Sequence, residues 1–258
     1  IIGPNDEIND SHNQRALGLL DAITTVKEEY WRTASPILGL VDTSRFIIAG
    51  YSMGGGASQI ALTIESSHNS HIKGAIALNP TILIENCDVC TENEYCFCLV
   101  PEFLEHDIPI LVIAGQNELE ELPDYAGLLG QDIYLNTPET TIKMLYEIES
   151  GGHSSAEIPY GDVLEKTLFW AKYHLNENLL SCDSLITLPE NASQFVTTLE
   201  CGGLPLYDVN GDGETNQADL TMLVLSILNQ IDFEDVIDFN FDQYTDIYDI
   251  LILSDIIN

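Results

Sequence analysis

The sequence has few basic residues: its 258 residues include 8 Lys plus Arg against 42 Asp plus Glu, a formal net charge of −34. Because such a chain repels phosphate groups, we expect neither a nucleic-acid partner nor an anionic membrane surface. No Lys or Arg follows Lys172, so the negative charge of the C-terminal part is unopposed. That part should repel itself unless cations bind it.

Long apolar runs and an initiating Met are also missing. No stretch of 18 or more apolar residues occurs, so the sequence predicts no membrane span. The chain begins at Ile1-Ile2-Gly3-Pro4 without a signal peptide, and we interpret this start as a cut. Six cysteines fall into two groups, which favours disulfides and therefore a secreted, extracellular protein.

One apolar run stops abruptly at a serine flanked by glycines. Phe46–Ala49 is continuously apolar, as in a strand buried on both faces, and residues 50–54 fit the G-x-S-x-G pattern of a strand-to-helix turn. Ser52 is then the candidate nucleophile, and an ordinary glycine-rich turn is the alternative. We expect a strained backbone at Ser52, with glycine required at positions 50 and 54 because a Cβ would collide there. The helix predicted at 57–62 would direct its N–H groups toward a developing oxyanion.

Strand and helix patterns alternate through the first 200 residues. This alternation predicts an α/β fold with a mostly parallel sheet, whose catalytic groups lie on loops at the carboxyl ends of strands. The predicted elements are a helix over 11–30 that buries Leu17, Leu20, Ile23 and Val26, strands at 74–78, 108–114 and 141–148, and a closing helix marked by Leu164, Leu168, Ala171 and Leu175.

A serine nucleophile needs a base and an acid, which follow it in the order acid, then histidine, in α/β hydrolases. His153 is the one histidine in a glycine-rich loop after a candidate strand, so it is the predicted base. Glu118 comes just past the strand at 110–114 and is the candidate acid. Its close rivals are Glu120, Glu121 and Asp124. The other histidines are expected at the surface: His12, His68, His71, His106 and His174.

The stretches 33–45 and 50–56, with Gly151-Gly152-His153-Ser154, resemble the bacterial cutinase-like polyester hydrolases, which include the polyethylene-terephthalate hydrolases. The resemblance runs from residue 1 to about Cys201. It implies an α/β-hydrolase fold and an acyl-enzyme mechanism that needs no cofactor. In this family Ser52 would be the nucleophile and His153 the base, while Glu118 stands where the family has its catalytic aspartate. The Met53 N–H would be one oxyanion donor.

The same resemblance bears on substrate binding, a disulfide and the start of the chain. Tyr51 and Thr81 are the candidate substrate-binding residues, and Thr81 replaces a substrate-stacking tryptophan, which removes an aromatic wall. Cys182 and Cys201 match the family's C-terminal disulfide. Residues 1–2 match the end of a strand that follows the first oxyanion-hole loop, so we expect that loop to lie outside the chain. The 258 residues would then be poorly soluble and nearly inactive, with an unprotected sheet edge at 46–49.

Four cysteines crowd into twelve residues between the second and third predicted strands. Zinc would accept four thiolates, but the spacings are tighter than in common zinc modules. In an exported protein such thiols would oxidise, so two local disulfides are favoured over zinc. These residues are Cys87, Cys90, Cys96 and Cys98.

Beyond a short linker at 202–206, marked by Gly202-Gly203 and Pro205, the pattern changes to an acidic loop followed by an apolar helix, twice. The chain is therefore predicted to divide into a catalytic domain, 1–201, and a small module, 207–258. Both loops have the ligand spacing of a calcium loop, which predicts two Ca²⁺ sites. The candidate ligands are Asp208, Asn210, Asp212, Glu214 (by its carbonyl), Asn216 and Asp219, then Asp238, Asn240, Asp242, Tyr244, Asp246 and Asp249.

The duplicated pattern resembles a dockerin, the module that docks secreted enzymes onto a cohesin partner. The resemblance implies a small all-α calcium-binding domain whose helices begin near Gln217 and Ile247. The recognition positions, Gln217-Ala218 and Ile247-Tyr248, differ between the repeats, so any cohesin partner is unidentified. A solitary calcium-stapled tail is the alternative. The helices are expected to pack through Leu220, Leu223, Leu225, Ile250 and Leu251.

The sequence thus predicts a secreted serine carboxylic-ester hydrolase, resembling cutinase-like polyesterases, joined to a dockerin-like module. One alternative is an acetyl or feruloyl esterase of plant polysaccharides, since dockerins commonly accompany such activities. A second alternative is a non-catalytic scaffold or binding protein that keeps the fold.

Overall fold

A computed structural model describes residues 11–64, 66–83, 104–176, 180–201, 207–210, 212, 214–228, 239 and 244–257. The chain divides into two compact units, Ile1–Leu199 and Glu200–Asn258, each of which is described by itself. The predicted linker, the four crowded cysteines and residues 1–2 lie outside the described residues. None of the described helices is both long and apolar enough to cross a membrane.

The first unit contains seven described strands, six described α-helices and one short 3₁₀-helix, Asn69–His71. The strands are β1 (Phe46–Tyr51), β2 (Ile72–Leu78), β3 (Ile82–Leu83), β4 (Ile110–Gly115), β5 (Gly127–Leu128), β6 (Lys143–Ile148) and β7 (Ala192–Thr197). The helices are α1 (His12–Trp31), α2 (Met53–Thr63), α3 (Glu118–Glu121), α4 (Gly130–Asn136), α5 (Gly161–Asn176) and α6 (Leu180–Ile186).

Five of the strands form one sheet in the order β1-β2-β4-β6-β7. The first four run parallel, and β7 pairs antiparallel to β6. Every residue of β4 and β6 is buried, which explains the continuous apolar run in β4, since parallel strands are covered on both faces. The predicted α/β fold with a mostly parallel sheet is confirmed, while β7 and the separate β3–β5 pair were not predicted. Among the described residues β1 pairs with β2 alone and so forms an edge.

The helix α1 is capped by Ser11, the first residue of the predicted span 11–30. The Ser11 Oγ accepts from the Gln14 N–H and the Gln14 Oε1 accepts from the Ser11 N–H, a reciprocal capping box. Leu20 and Ile23 are buried against the core, as predicted, but Leu17 is 42 % exposed and that prediction is wrong. Ala16 occupies the buried position instead, because the helix lies slightly rotated from the predicted face.

The buried face of α5 also differs from the prediction. Leu164 and Leu168 are 42 % and 50 % exposed, and the buried residues are Val163, Lys166 and Trp170. Lys166 can be buried because its ammonium donates to carbonyl oxygens at the end of α6, among them Ser184 O at 2.6 Å and Leu185 O at 3.0 Å. A lysine with these partners therefore replaces the leucines in the interior.

The second unit contains two described helices, α7 (Gln217–Ile227) and α8 (Ile247–Ile257), close to the predicted bounds. Leu223 and Leu253, which occupy equivalent positions in the two repeats, are both fully buried. Leu251 is 55 % exposed, so its predicted packing role is wrong: position 253, and not 251, faces the interior.

Cys182 and Cys201 are both disulfide-bonded, as the family resemblance implies.

Candidate active site

Ser52 occupies the sharp turn between β1 and α2. Its φ is 54° and its ψ −122°, a conformation that costs a non-glycine residue about 1–3 kcal/mol. Hydrogen bonds hold the turn: the Ser52 N–H donates to Leu78 O (2.9 Å), and Ser52 O accepts from Gly56 N and Thr81 N, each at 3.1 Å. The predicted backbone strain at this serine is confirmed.

Two positions of this turn require glycine. One is Gly50, as predicted, and the other is Gly56 in place of the predicted Gly54. A Cβ at Gly50 would lie 2.1 Å from Gly54 O, so no other residue fits there. A Cβ at Gly54 would meet nothing within 4 Å, and the prediction for Gly54 is wrong. The tight position is Gly56, where a Cβ would lie 2.0 Å from Thr81 O, because the loop after β2 packs against the start of α2.

His153 lies in the loop after β6, with its imidazole against the serine. The distance from Ser52 Oγ to His153 Nε2 is 2.8 Å, which is a hydrogen bond. The Tyr51 hydroxyl donates to His153 O at 3.1 Å, and the two rings lie 5.6 Å apart between centroids. The structure therefore brings together the predicted nucleophile, the predicted base and Tyr51.

Glu118 begins α3, directly after β4, and faces the other nitrogen of the same imidazole. Its Oε1 is 3.3 Å from His153 Nδ1, and only 3 % of the residue is exposed. Burial raises the pKa of Glu118 above its ordinary value, although hydrogen bonds from Asn79 and His153 act in the opposite direction. The rival acids Glu120, Glu121 and Asp124 are all exposed.

Glu121 contacts the same histidine through the backbone. Its Oε2 accepts from the His153 N–H at 2.7 Å, and its Oε1 lies 1.9 Å from where a Cβ of Gly152 would be. A side chain at position 152 would therefore displace this carboxylate from the loop. The candidate acid Glu118 and its rival Glu121 therefore both contact His153, Glu118 at the ring and Glu121 at the backbone.

Asn79 was not predicted, and it links the parts of the site. It is fully buried, has a φ of 39°, and donates from Nδ2 to Glu118 Oε1 at 2.6 Å. Its Oδ1 accepts from the Ala156 N–H at 2.7 Å, on the loop that carries His153. The available sequence signal was a lone polar residue between the apolar strand β2 and Pro80, at the edge of the sheet where catalytic groups gather.

Thr81 is placed by its backbone more than by its side chain. It is 3 % exposed, and its carbonyl oxygen contacts His12 Nε2 at 2.8 Å. The Thr81 side chain therefore offers almost no surface to a ligand, and its predicted binding role stays a prediction. His12 is buried and holds this loop, so the expectation that it lies at the surface is wrong.

Met53 is the first residue of α2, so its N–H has no partner within the helix, as an oxyanion donor requires.

The candidate calcium loops of the second unit are organised around buried aspartates. Asp219 is fully buried; its Oδ1 accepts from Asn210 N (3.0 Å) and its Oδ2 from Asn216 N (2.7 Å). In the second loop, Asp249 is equally buried and accepts from the Asp246 N–H at 2.8 Å.

The remaining candidate ligands of the first loop lie close together along the chain. Asp208 and Asn210 each accept from the Asp212 N–H, and Asp212 accepts from the Glu214 N–H. In the second loop, Tyr244 is exposed, while Asp238, Asn240 and Asp242 lie outside the described residues.

The loops fit Ca²⁺ by the chemical type of their candidate ligand atoms. All the candidate donors are oxygens, which Ca²⁺ prefers. Within the parts of the chain that the structure describes, no three His, Cys, Asp or Glu side chains form a group that could hold a metal ion.

The first unit matches a known family. Residues 5–198 match the family model described as PETase: PET hydrolase-like. The matched span includes Ser52, Glu118 and His153 and ends before the second unit. No curated protein matches the chain.

Proposed function

The chain belongs to the PET hydrolase-like family, and we propose that it is a serine carboxylic-ester hydrolase of the cutinase-like polyesterase type. One observation carries the proposal: the unbroken line of contacts from Ser52 Oγ to His153 Nε2 and from His153 Nδ1 to Glu118 Oε1. A nucleophile, a base and an orienting acid are the three groups that acyl transfer through serine requires.

In the proposed reaction, Ser52 Oγ attacks the ester carbonyl carbon while its proton passes to His153 Nε2. Glu118 accepts the Nδ1–H hydrogen bond and stabilises the imidazolium that forms. The Met53 N–H and the positive end of α2 stabilise the oxyanion of the tetrahedral intermediate. His153 then protonates the leaving alcohol as the ester C–O bond breaks, which leaves the acyl-enzyme. Water, deprotonated by the same histidine, attacks the acyl carbon; the bond to Ser52 Oγ breaks, His153 returns the proton to Oγ, and the carboxylic acid is released.

The family match makes an ester with apolar groups the first kind of substrate to test. Three large apolar residues on the segments that carry Glu118 and His153 are exposed: Leu119 (68 %), Ile158 (75 %) and Tyr160 (73 %). If these residues form one patch beside the site, it would suit a polymer or acyl chain better than a sugar. Polyester is therefore the first substrate class to test, with acetylated or feruloylated polysaccharide as the second.

Hydrolysis of 4-nitrophenyl butyrate by the full chain tests the proposal. Ser52→Ala should lower kcat by several orders of magnitude, and a serine-directed phosphonate should label Ser52 of the wild type. Ser70→Ala is the matched control, because Ser70 Oγ also lies near a histidine nitrogen, His71 Nδ1 at 3.3 Å, but at an exposed position. If Ser52→Ala keeps its activity, the chain is not a hydrolase acting through this site. A panel of polyester film, tributyrin and acetylated xylan then identifies the substrate class.

For the second unit we propose a calcium-binding, dockerin-like module that docks a secreted enzyme onto a cohesin or cell-surface scaffold. The repetition of buried Asp219 and Leu223 as Asp249 and Leu253 supports a duplicated loop-helix unit. The first Ca²⁺ would be held by Asp208, Asn210, Asp212, Asn216, Asp219 and the Glu214 carbonyl, and it would neutralise their negative charge. Calorimetric titration of the full chain with Ca²⁺ should show two sites, and a panel of immobilised cohesins tests docking. Absence of calcium binding would rule out this module.

A further inference from the structure

We propose that Asn79 is a positioning residue whose side-chain amide fixes Glu118 against His153 and ties both to the loop that carries the histidine. The inference rests on the proposed function, because it assigns Asn79 a role in the same reaction. Asn79 does not contact the reacting atoms in the structure; it acts through the acid and the base.

The contacts of Glu118 Oε1 show why a positioning residue is needed. The 2.6 Å bond from Asn79 Nδ2 is much shorter than the 3.3 Å separation from His153 Nδ1. A glutamate side chain also has one more rotatable bond than an aspartate, so it loses more rotamer freedom when it is held in one orientation. The carboxylate also accepts a backbone hydrogen bond from Gly130. The distances show that the Asn79 amide constrains its orientation more tightly than the imidazole does.

The same amide group also holds the backbone on both sides of His153. The Asn79 Oδ1 accepts from Ala156 N at 2.7 Å, while Nδ2 is within 3.3 Å of Gly152 O and of Ser155 Oγ. One buried side chain thus makes hydrogen bonds to Glu118, to Gly152 before the histidine, and to two residues shortly after it. A shift of Asn79 would move the acid and the base relative to each other.

The backbone of Asn79 is itself fixed. Its φ of 39° lies in the left-handed region, which asparagine tolerates better than most residues, and its N–H donates to Ile113 O at 2.7 Å. The amide is consequently oriented before any substrate binds, which is what precise positioning of catalytic groups requires.

Loss of the Asn79 donor should change the titration of the Glu118–His153 pair. Without the donated hydrogen bond, the carboxylate holds a proton more readily, and it also stabilises an imidazolium more strongly. Both effects make the pair take up a proton at higher pH, so the acidic limb of kcat/KM should move upward. Other titratable groups near the pair are Tyr51, whose ring faces His153, Glu121 on the His153 N–H, and Glu157, whose charge acts on Tyr51.

The decisive variant is Asn79→Asp. Aspartate has the same shape, tolerates the same φ and can still accept from Ala156 N, but it puts a carboxyl where Glu118 had a donor. We expect kcat on 4-nitrophenyl butyrate to fall about ten- to a hundredfold with little change in KM, and the acidic limb to move to higher pH. Asn79→Gly, which also allows the positive φ, is measured in parallel in case the aspartate does not fold.

Gln131→Glu is the matched control. Gln131 Nε2 donates to the buried carboxylate of Glu147, so the same amide-to-carboxyl change is made at a pair outside the site. This variant should lower the melting temperature without moving the acidic limb or kcat. A double-mutant cycle then asks whether Asn79 acts through the acid: in a Glu118→Gln background, Asn79→Asp should have little further effect on kcat.

The outcomes separate this inference from the proposed function. Folded Asn79 variants with wild-type kcat and pH profile would overturn it, and so would an equal loss of kcat in both backgrounds. If Ser52→Ala shows that hydrolysis does not come from this site, the proposed function fails, and NMR titration of the His153 ring in the full chain becomes the test. The pair should still protonate at higher pH in Asn79→Asp, and an unchanged titration would overturn the inference.

Discussion

Two buried lysines of the first unit and two buried aspartates of the second unit lie at opposite ends of helices. In the first unit, Lys143 donates to the carbonyl oxygens of Tyr134 and Thr137 at the end of α4, and Lys166 does the same at the end of α6. In the second unit, Asp219 and Asp249 accept N–H groups at the starts of α7 and α8. Each ion has the sign that its helix end favours.

The difference follows from the distribution of charge along the chain. All eight Lys and Arg residues precede residue 173, so no basic side chain of its own can balance the acids of the second unit. Its fully buried apolar residues are also few among those described, chiefly Leu223 and Leu253, whereas the first unit has a large apolar core. We infer that buried carboxylates support the fold of the second unit, while the buried carboxylate Glu118 of the first unit supports activity.

The largest expected effect tests whether the buried carboxylate of Glu118 supports activity. Glu118→Gln should lower kcat by about a hundred- to ten-thousandfold, because the imidazolium loses its negative partner. Glu120→Gln and Asp124→Asn, at exposed rival positions, should change kcat little. Equal losses in all three would mean that Glu118 has no special role.

The same variant should not destabilise the fold. Burial raises the pKa of Glu118, so its ionised form costs folding free energy above that raised pKa, and the cost disappears below the ordinary value of 4.5, where the group is protonated both folded and unfolded. Thermal melting of Glu118→Gln should therefore show a gain at pH 8 that vanishes near pH 4. A loss of stability at pH 8 would mean that the Glu118 carboxylate also supports the fold of the first unit.

The next effect concerns the lysines. Lys166→Met should lower the free energy of unfolding of the first unit by about 3–5 kcal/mol, because it leaves several carbonyl oxygens at the end of α6 without a donor. Lys172→Met, on the same helix but only partly buried, is the control and should cost much less. Chemical denaturation followed by tryptophan fluorescence measures both, since Trp170 is fully buried beside this region. Similar denaturation midpoints for the two variants would show that the hydrogen bonds of the buried Lys166 ammonium do not stabilise the fold.

Asp219→Ala should cost about 2–4 kcal/mol, confined to the second unit, because two backbone N–H groups lose their acceptor. Asp255→Ala removes the same charge from an exposed position of α8 and is the matched control. Hydrogen exchange of peptides from α7 and α8 measures the loss, with esterase activity unchanged. Faster exchange in the first unit as well would mean that the two units do not unfold separately.

The sequence predicted the parts of this molecule that depend on local pattern. Apolar runs located β1, β2, β4 and β6, and the order of serine, acid and histidine along parallel strands predicted which residues would meet. The edge strand β7 was not predicted, because Ala-Ser-Gln-Phe-Val-Thr is neither continuously apolar nor regularly alternating. The role of Asn79 and the burial of Lys166 depend on partners far along the chain, which no local pattern reveals.

The smallest expected effect is that of calcium, and it tests why the second unit can bury acids without basic residues. If Ca²⁺ binds the two loops, it supplies the missing positive charge and stabilises the unit by about 1–3 kcal/mol at concentrations well above its dissociation constant. Hydrogen exchange of α7 and α8 in the full chain, with Ca²⁺ or with chelator, measures this gain, and Mg²⁺ is the control for a general charge effect. Chelation should speed exchange there and leave the first unit and its activity unchanged. Identical exchange in both conditions would mean that the hydrogen bonds from backbone N–H groups to Asp219 and Asp249 hold these loops without a cation, and the calcium proposal would then be wrong.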